Sequence, residues 1–333
     1  MVRLTFTFIR LMVSGLILCS LVNEAYAQDL FDMTVARDGT GDFTSVQQAV
    51  DAARAFPDQR VTIHVRNGIY HEKVIIPACN TRLSIIGESP GKTIISYGDF
   101  FNKINRGRNS TFYTSTFRVE ADDFYAENLT FENTAGPVGQ ALALDVGGDR
   151  CVFRNCRIIG NQDTLYTDGL SSRQYFDKCY IEGTTDFIFG AATALFNDCT
   201  ICSKSNSYIT AASTPEGKKF GYVFIGCRLI AKDSALKVYL GRPWRDYARV
   251  VFIRCEMGSH IVQAGWFDWP GTGRDKTAYY AEYGNTGPGS DTAGRVAWSH
   301  QLGDGEAGDY TTENILAPVL PVEKPVDQWI TGR

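Results

Sequence analysis

Phe176-Asp177-Lys178-Cys179-Tyr180-Ile181 is one of five segments in which an aromatic residue precedes a cysteine by three positions and an aliphatic residue or methionine follows it by two. The other four are Phe153–Ile158, Phe196–Ile201, Phe224–Leu229 and Phe252–Met257. An earlier copy, Tyr125–Thr130, carries Asn128 in the cysteine position. Successive copies are 20 to 28 residues apart, which is the spacing of solenoid, propeller or array repeats.

The repeat predicts the fold class. Each copy alternates apolar and polar residues, as a β-strand does. We therefore expect an all-β protein, a right-handed parallel β-helix, in which the repeated cysteine forms an inward-facing ladder. A propeller is the competing architecture, although it favours a more even period of about 40–50 residues. Near the N-terminus, Thr44–Gln47 matches a capping box and Val46, Ala49, Val50 and Ala53 share one helical face, which predicts a short capping helix.

Two aspartates recur at the same offset from the ladder. Asp163 lies seven residues after Cys156, and Asp186 lies seven residues after Cys179. If the coils stack, these carboxylates occupy adjacent rungs, with their backbones roughly 5 Å apart. Like-charge repulsion then raises one pKa, so that one carboxyl group is protonated while the other is charged. A single aspartate after a strand usually only forms a turn, but two at one coil offset predict a catalytic pair.

Amide, guanidinium and aromatic side chains accompany this pair in the sequence. Gln162 precedes Asp163, and Gln140 lies one coil earlier, so that two amide donors could form an oxyanion hole. Arg242 offers a planar fork that suits a carboxylate, and Trp244 offers a ring that can stack on a sugar. The aromatic neighbours of Asp186 could keep water away.

The N-terminus resembles a secretory signal. Arg3 and Arg10 supply positive charge, Leu11–Val22 is a short apolar run, and the small residues around Tyr26 form a cleavage site that ends at Ala27. We expect residues 1–27 to be removed and the protein to be secreted, to the periplasm or the medium. The rest, 28–333, is expected to be one domain with a loosely packed tail over 316–333.

Charge and cysteine content limit the possible partners. The net charge of −4 argues against nucleic acid and anionic membranes as partners. The repeated cysteines are expected to remain mostly unbridged and to pack as small apolar groups, whereas Cys79, Cys151 and Cys202 are better candidates for disulfides. Cys199 and Cys202 form a lone CxxC without a second pair, so no metal site is expected.

The motifs together resemble the pectin methylesterase (pectinesterase) family of carbohydrate esterases. The similarity runs over roughly residues 30–316 in the family's order, and the family's fold is a right-handed parallel β-helix. The matching segments are Gly139-Gln140-Ala141, Gln162-Asp163-Thr164-Leu165, Asp186-Phe187-Ile188-Phe189-Gly190, Leu240-Gly241-Arg242-Pro243-Trp244, Val35–Phe43 and Phe131–Gly136.

The resemblance implies a role for each residue of the expected site. Asp186 would attack the C6 methyl ester carbonyl of galacturonate, and Asp163 would protonate the departing methanol and then activate water. Gln162 and Gln140 would stabilise the oxyanion. Arg242 would orient Asp186 and keep it ionised.

The resemblance also implies how substrate is bound. Trp244 and Phe189 would line the sugar cleft, and Thr111 matches a substrate-contacting position of the family. The partner would be methyl-esterified pectin, with no metal or organic cofactor, and the protein would act as a monomer. A signal segment directly before the catalytic domain is more typical of bacterial members.

Four other functions are compatible with parts of the pattern. An esterase for another acylated or esterified polysaccharide would use the same chemistry. A β-helix glycosidase also uses two close carboxylates but needs no oxyanion hole, and a calcium-dependent lyase needs an acidic cluster that the coils lack. A non-catalytic polysaccharide-binding β-helix would have no need for the polar set around Asp163 and Asp186.

Overall fold

The structure is a computed structural model of the 333-residue chain, and it describes residues 31–318 and 325–331. The expected signal segment, 1–27, lies outside the described residues. Within them, three parallel sheets, which we call A, B and C, wind around one core. Every strand pairing is parallel, which confirms the parallel β-helix and rules out a propeller, whose blades are antiparallel.

The strands of each sheet follow one another coil by coil. Sheet A contains β1 (Asp32–Val35), β2 (Val61–Val65), β5 (Leu83–Gly87), β8 (Tyr125–Glu127), β11 (Cys151–Arg154), β14 (Arg173–Asp177), β17 (Thr193–Asn197), β20 (Tyr222–Ile225), β23 (Arg249–Ile253), β25 (Tyr279–Tyr283) and β26 (His300–Gln301). Sheet B contains β3 (Gly68–His71), β6 (Thr93–Tyr97), β9 (Thr130–Asn133), β12 (Arg157–Ile159), β15 (Tyr180–Gly183), β18 (Thr200–Ser203), β21 (Arg228–Ala231) and β24 (Glu256–Met257). Sheet C contains β4 (Val74–Ile76), β7 (Phe117–Val119), β10 (Leu144–Val146), β13 (Leu165–Thr167), β16 (Ile188–Gly190), β19 (Tyr208–Ala212) and β22 (Tyr239–Gly241).

Short helices lie at the ends of the solenoid and in its loops. The α-helices are α1 (Val46–Ala52), α2 (Phe101–Ile104), α3 (Asp304–Gly308), α4 (Thr312–Ile315) and α5 (Val326–Ile330), and the 3₁₀ helices are Gly107–Tyr113 and Arg274–Lys276. None of the helices in the described part of the chain is long and apolar enough to cross a membrane.

A continuous stack of phenylalanine rings fills the core behind sheet A. Neighbouring rings lie 4.3–5.0 Å apart, centroid to centroid, with interplanar angles of 8–10°. The stack consists of Phe153, Phe176, Phe196, Phe224 and Phe252. In-register pairing places the same side chain at the same point of each coil, and offset ring stacking adds stability beyond the buried area.

The cysteine ladder follows directly after this stack. From Cys179 onward, each ladder thiol contacts a carbonyl of the preceding coil, for example Cys179 Sγ to Phe153 O at 3.3 Å and Cys199 Sγ to Phe176 O at 3.4 Å. The ladder cysteines are buried, and all eight cysteines from Cys79 onward are free thiols. The unbridged ladder is therefore present, whereas the disulfides considered for Cys79, Cys151 and Cys202 are not formed.

The earliest copy of the repeat was aligned wrongly from sequence by one residue. Arg157 pairs with Thr130, so Cys156 lies over Leu129 and the cysteine slot of that coil holds leucine. Asn128 instead occupies the corner before the slot with φ 58°, and its side chain accepts a hydrogen bond from Asn155 at 2.7 Å. Asparagine adopts this left-handed conformation more readily than most residues, and that preference decides its place.

Helix α1 covers the N-terminal end of the core, as expected. Val46, Ala49 and Val50 are buried, but the N-cap is Ser45, one residue later than the capping box predicts. The carboxylate of Glu72 accepts hydrogen bonds from the free amides of Val46 and Gln47. A distant side chain thus satisfies the helix end, which local sequence could not indicate.

Helix α5 lies within the expected tail. Val326 and Trp329 of α5 are 6% and 3% exposed and contact the apolar outer face of sheet A. The spacing of these residues on one helical turn places both on the face that packs.

Truncation of the central ring of the stack should destabilise the whole solenoid. We expect Phe196→Ala to lower the free energy of unfolding by about 3–5 kcal/mol, because it leaves a cavity between two stacked rings. Guanidinium denaturation followed by circular dichroism measures this loss. Leu236→Ala, at a side chain that is 69% exposed, is the control and should change stability by less than about 0.5 kcal/mol. If the two substitutions changed the free energy of unfolding equally, a stabilising role of the ring stack would be contradicted.

Candidate active site

Asp163 and Asp186 stand at the same corner of consecutive coils, two residues before strands β13 and β16. Leu165 pairs with Ile188, and the amide of Asp163 donates to Thr185 O at 3.1 Å, so the two aspartates are stacked neighbours. Both have left-handed backbones, with φ of 62° and 49°, a conformation that aspartate tolerates better than most residues. The structure thus brings together the pair that spacing predicted.

The two carboxyl groups are similarly buried but have different electrostatic surroundings. Asp163 and Asp186 are 9% and 7% exposed. Burial, followed by the neighbouring Asp186, raises the pKa of Asp163 well above its usual range. Burial also raises the pKa of Asp186, but hydrogen bonds and the charge of Arg242 act in the opposite direction. The shifts favour a proton on Asp163, whereas Arg242 favours the charged form of Asp186.

Arg242 forms a two-point salt bridge with Asp186. Its Nε and Nη2 donate to the two carboxylate oxygens at 2.9 and 2.6 Å. The guanidinium carbon also lies over the rings of Tyr208 and Trp269, 4.0 and 3.9 Å from their centroids. These faces restrict the guanidinium and favour its charge, so Arg242 is a fixed donor. Sequence reasoning missed both rings, because neither belongs to the cysteine repeat.

Gln140 and Gln162 lie on adjacent coils beside the carboxylates. The two residues form a parallel bridge, and Ala141 N donates to Gln162 O at 3.1 Å. Both glutamines line the same cleft as Asp163 and Asp186. The arrangement of two amides next to a charged carboxylate and a protonated one is suited to acyl transfer, which needs donors for a developing oxyanion.

Aromatic rings form one side of the cleft, on the outer face of sheet C. Tyr166 stacks on Phe189 with centroids 4.7 Å apart, and Phe189 meets Trp244 edge-on at 5.6 Å. Phe112 extends the row by contacting Tyr166 at 5.0 Å. Flat apolar surface of this kind supports sugar rings through stacking.

The cleft has a volume of about 530 Å³, and every site residue predicted from sequence lines it, including Thr111 from the 3₁₀ helix. Its lining also includes residues that the sequence did not single out: Arg108, Asn109, Phe112, Ala211, Arg245 and Trp269. Most of these come from insertions between strands rather than from the repeat. Among residues 31–318 and 325–331, no three histidine, cysteine or acidic side chains are grouped to hold a metal ion.

Removal of the guanidinium should change the ionisation of Asp186. We expect Arg242→Gln to raise the pKa of Asp186, because the carboxylate loses the charge and hydrogen bonds that favour its ionised form. A pH titration of the carboxyl ¹³C resonances measures this change. Arg245→Gln is the matched control, since Arg245 lies over the Trp244 ring and not on Asp186. An equal response in both variants would show that total charge, rather than the salt bridge, sets the ionisation.

Comparison with known proteins gives a consistent assignment. Residues 32–318 match the Pectinesterase family. Pectinesterase 31 of Arabidopsis thaliana is 39% identical over 292 residues, which cover 85% of this chain and 92% of that protein. The chain spans about half the length of other plant relatives, which are named as probable pectinesterase/pectinesterase inhibitors.

Solved structures with the same fold are also esterases of this kind. The pectin methylesterase from carrot superposes with a TM-score of 0.81 at 35% identity, covering 86% of this chain and 92% of that one. A pectin methylesterase in complex with hexasaccharide VII gives a TM-score of 0.76 at 28% identity, covering 87% and 98%. The architecture, the stacked carboxylates and these similarities agree, and the chain belongs to the pectinesterase family.

Proposed function

We propose that the protein is a pectin methylesterase that hydrolyses the C6 methyl esters of polygalacturonate and releases methanol. The observation that carries this function is the pair of stacked, buried carboxylates, of which only Asp186 is held by a guanidinium. A charged nucleophile and a neutral acid are thereby available at one point. Family membership supports the same reaction.

In the first step, an oxygen of Asp186 attacks the ester carbonyl carbon. The bond from that carbon to the methoxy oxygen breaks, and the proton of Asp163 passes to the methoxy oxygen, so that methanol leaves. The product is an acyl-enzyme, a mixed anhydride between Asp186 and the galacturonate C6. Asp163 is then ionised and can act as a base.

In the second step, Asp163 takes a proton from water, and the hydroxyl oxygen attacks the galacturonate carbonyl. The bond to the Asp186 oxygen breaks, which regenerates the carboxylate and frees the galacturonate acid. Both tetrahedral intermediates place negative charge on the former carbonyl oxygen. Gln140 and Gln162 are proposed to donate to this oxygen, a contribution that is typically about 10²–10³-fold per donor.

The substrate is proposed to lie along the aromatic face of the cleft. Phe189 and Trp244 would support sugar rings next to the scissile ester, and Thr111 of the 3₁₀ helix would contact the chain. A related pectin methylesterase forms a complex with a hexasaccharide, which supports binding of an extended saccharide here. The protein is proposed to act on this substrate as a monomer.

An esterase for another acylated or esterified polysaccharide remains the second candidate, because its chemistry at Asp186 would be the same. The glycosidase alternative is disfavoured, because the two amides beside the carboxylates have no function in glycoside cleavage.

Replacement of the proposed nucleophile tests the function. We expect Asp186→Asn, which keeps the side-chain shape, to lower the rate of methanol release from highly methylated pectin by about a thousandfold or more, because an amide cannot form the acyl-enzyme. Asp58→Asn, at an exposed carboxylate, is the control and should retain full activity. Reducing ends or unsaturated products without methanol would instead assign the protein to the glycosidases or lyases.

We further propose that the protein is secreted and that its N-terminal segment is cleaved after Ala27. This proposal rests on the charged, apolar and small-residue pattern of residues 1–27. A bacterial origin, inferred from the same layout, stays a prediction, since the curated relatives compared above are plant proteins.

Mass spectrometry of the protein exported from a bacterial host tests the cleavage. We expect a mature chain that begins at Gln28. Ala27→Glu should block cleavage, because the signal peptidase requires a small residue there, whereas Gln28→Asn should leave it intact. Protein that is retained inside the cell with its first 27 residues attached would contradict the proposal.

A further inference from the structure

The 3₁₀ helix Gly107–Tyr113 carries part of the cleft wall, but it belongs to no strand of the solenoid. It lies in the long connection between β6 and β7, and its residues Thr111 and Phe112 line the cleft. A short 3₁₀ helix has poor internal hydrogen-bond geometry, so contacts with the solenoid must fix its position. The distance of Thr111 from the carboxylate pair therefore depends on how this helix is attached.

Arg118 attaches the end of the 3₁₀ helix to sheet C. Its Nη2 donates to the carbonyl of Phe112, and its Nε donates to Asp145 Oδ2 at 2.8 Å. Arg118 and Asp145 are directly paired residues of β7 and β10. Because Asp145 is only 4% exposed, its carboxylate is itself fixed by packing. Asp145 thus holds the guanidinium, and the guanidinium holds the helix.

Lys73, which directly precedes β4, forms a second attachment at the next carbonyl. Its Nζ donates to Tyr113 O at 2.7 Å and to Asp99 Oδ2 at 2.8 Å. Lys103 contacts the other oxygen of Asp99 at 2.7 Å. Burial acts to raise the pKa of Asp99, but hydrogen bonds from Lys103 and Lys73 outweigh it, and the pKa is lowered. This second attachment therefore keeps its charges under mildly acidic conditions.

The attachment through Arg118 titrates under the same conditions. Burial raises the pKa of Asp145 to about 6 in spite of the charge of Arg118, and the like charges of Asp168 and Glu120 add to the rise. Burial also raises the pKa of Tyr166, which pairs with Asp145 from β13, so this neighbour stays neutral. A hydrogen bond between two ions is about twice as strong as one between neutral groups. Protonation of Asp145 therefore weakens its hold on the guanidinium.

We propose that Arg118 and Asp145 are positioning residues for the esterase reaction, which hold the Thr111 wall of the cleft in place while Asp145 is ionised and loosen it when Asp145 takes up a proton. Neither residue lines the catalytic cleft, so both act through the 3₁₀ helix. This inference rests on the proposed function. It adds that pH controls substrate binding separately from the catalytic pair, with binding strongest above about pH 6 and weaker as the pH falls through that value.

Removal of the titrating charge tests the inference. For the wild type, we expect KM for highly methylated pectin to rise about threefold to tenfold between about pH 7 and about pH 5. Asp145→Asn keeps the side-chain shape without the charge, so it should show the high KM at both pH values. At each pH, kcat should be nearly the same in the two proteins, because binding shared by ground and transition states affects KM alone. The same pH dependence of KM in both proteins would overturn the proposal.

A neighbouring charge provides a second test that a merely structural role would not satisfy. The charge of Asp168 raises the pKa of Asp145. We therefore expect Asp168→Asn to move the midpoint of the KM change to lower pH, while KM at about pH 7 stays that of the wild type. Glu313→Gln, at an exposed carboxylate, is the charge control and should leave the midpoint unchanged. An unchanged or raised midpoint in Asp168→Asn would contradict the titration of Asp145.

Hydrogen–deuterium exchange reports the attachment without catalysis. At about pH 7, we expect the backbone amides of residues 107–113 to exchange about fivefold faster or more in Asp145→Asn than in the wild type, with strand β14 unchanged, because local opening becomes easier. Equal exchange in the two proteins would overturn the inference, whether or not methanol is released. Absence of methanol release from any pectin by the wild type would instead overturn the proposed esterase, and the exchange result would stand.

Discussion

In-register parallel stacking is the constraint on which the rest of this molecule depends. Each coil hydrogen-bonds to the next with matching residues aligned, so a position repeated in sequence becomes a column in space. Inside the solenoid this gives the phenylalanine stack and the cysteine ladder. At the corner before β13 and β16 the same rule places Asp163 directly beside Asp186. Stability and catalysis thus arise from one geometric repeat.

Stacking alone would give the two carboxylates the same environment. Arg242 makes their environments different. Arg242 follows β22, which lies on the Asp186 side of the column, so its guanidinium reaches Asp186 and not Asp163. Tyr208 and Trp269 fix it there. Burial penalises both charges, but only Asp186 accepts hydrogen bonds from Arg242, and this difference divides the pair into a nucleophile and an acid. The coil repeat therefore places Asp163 beside Asp186, and the salt bridge with Arg242, which is not part of the repeat, gives the two aspartates different roles.

The same distinction explains what the sequence could predict. The β-helix, the ladder and the position of both aspartates follow from spacing, because equal offsets on stacked coils must coincide. The register of the earliest copy was wrong because Asn128 resembles a polar substitute for cysteine, whereas its backbone preference places it at the corner. Trp269 over Arg242 and the Glu72 cap come from loops of irregular length, where no periodicity indicates which residues meet.

The irregular lengths of the coils also create the catalytic cleft, because the longer connections form its walls. Coils that keep only their strands present a flat outer face, whereas the insertion before β7 brings Thr111 and Phe112 over sheet C, and the segments after β22 bring Trp244 and Trp269 from the other direction. The walls of the cleft can therefore change without disturbing the core, since alternate residues of each strand face opposite sides.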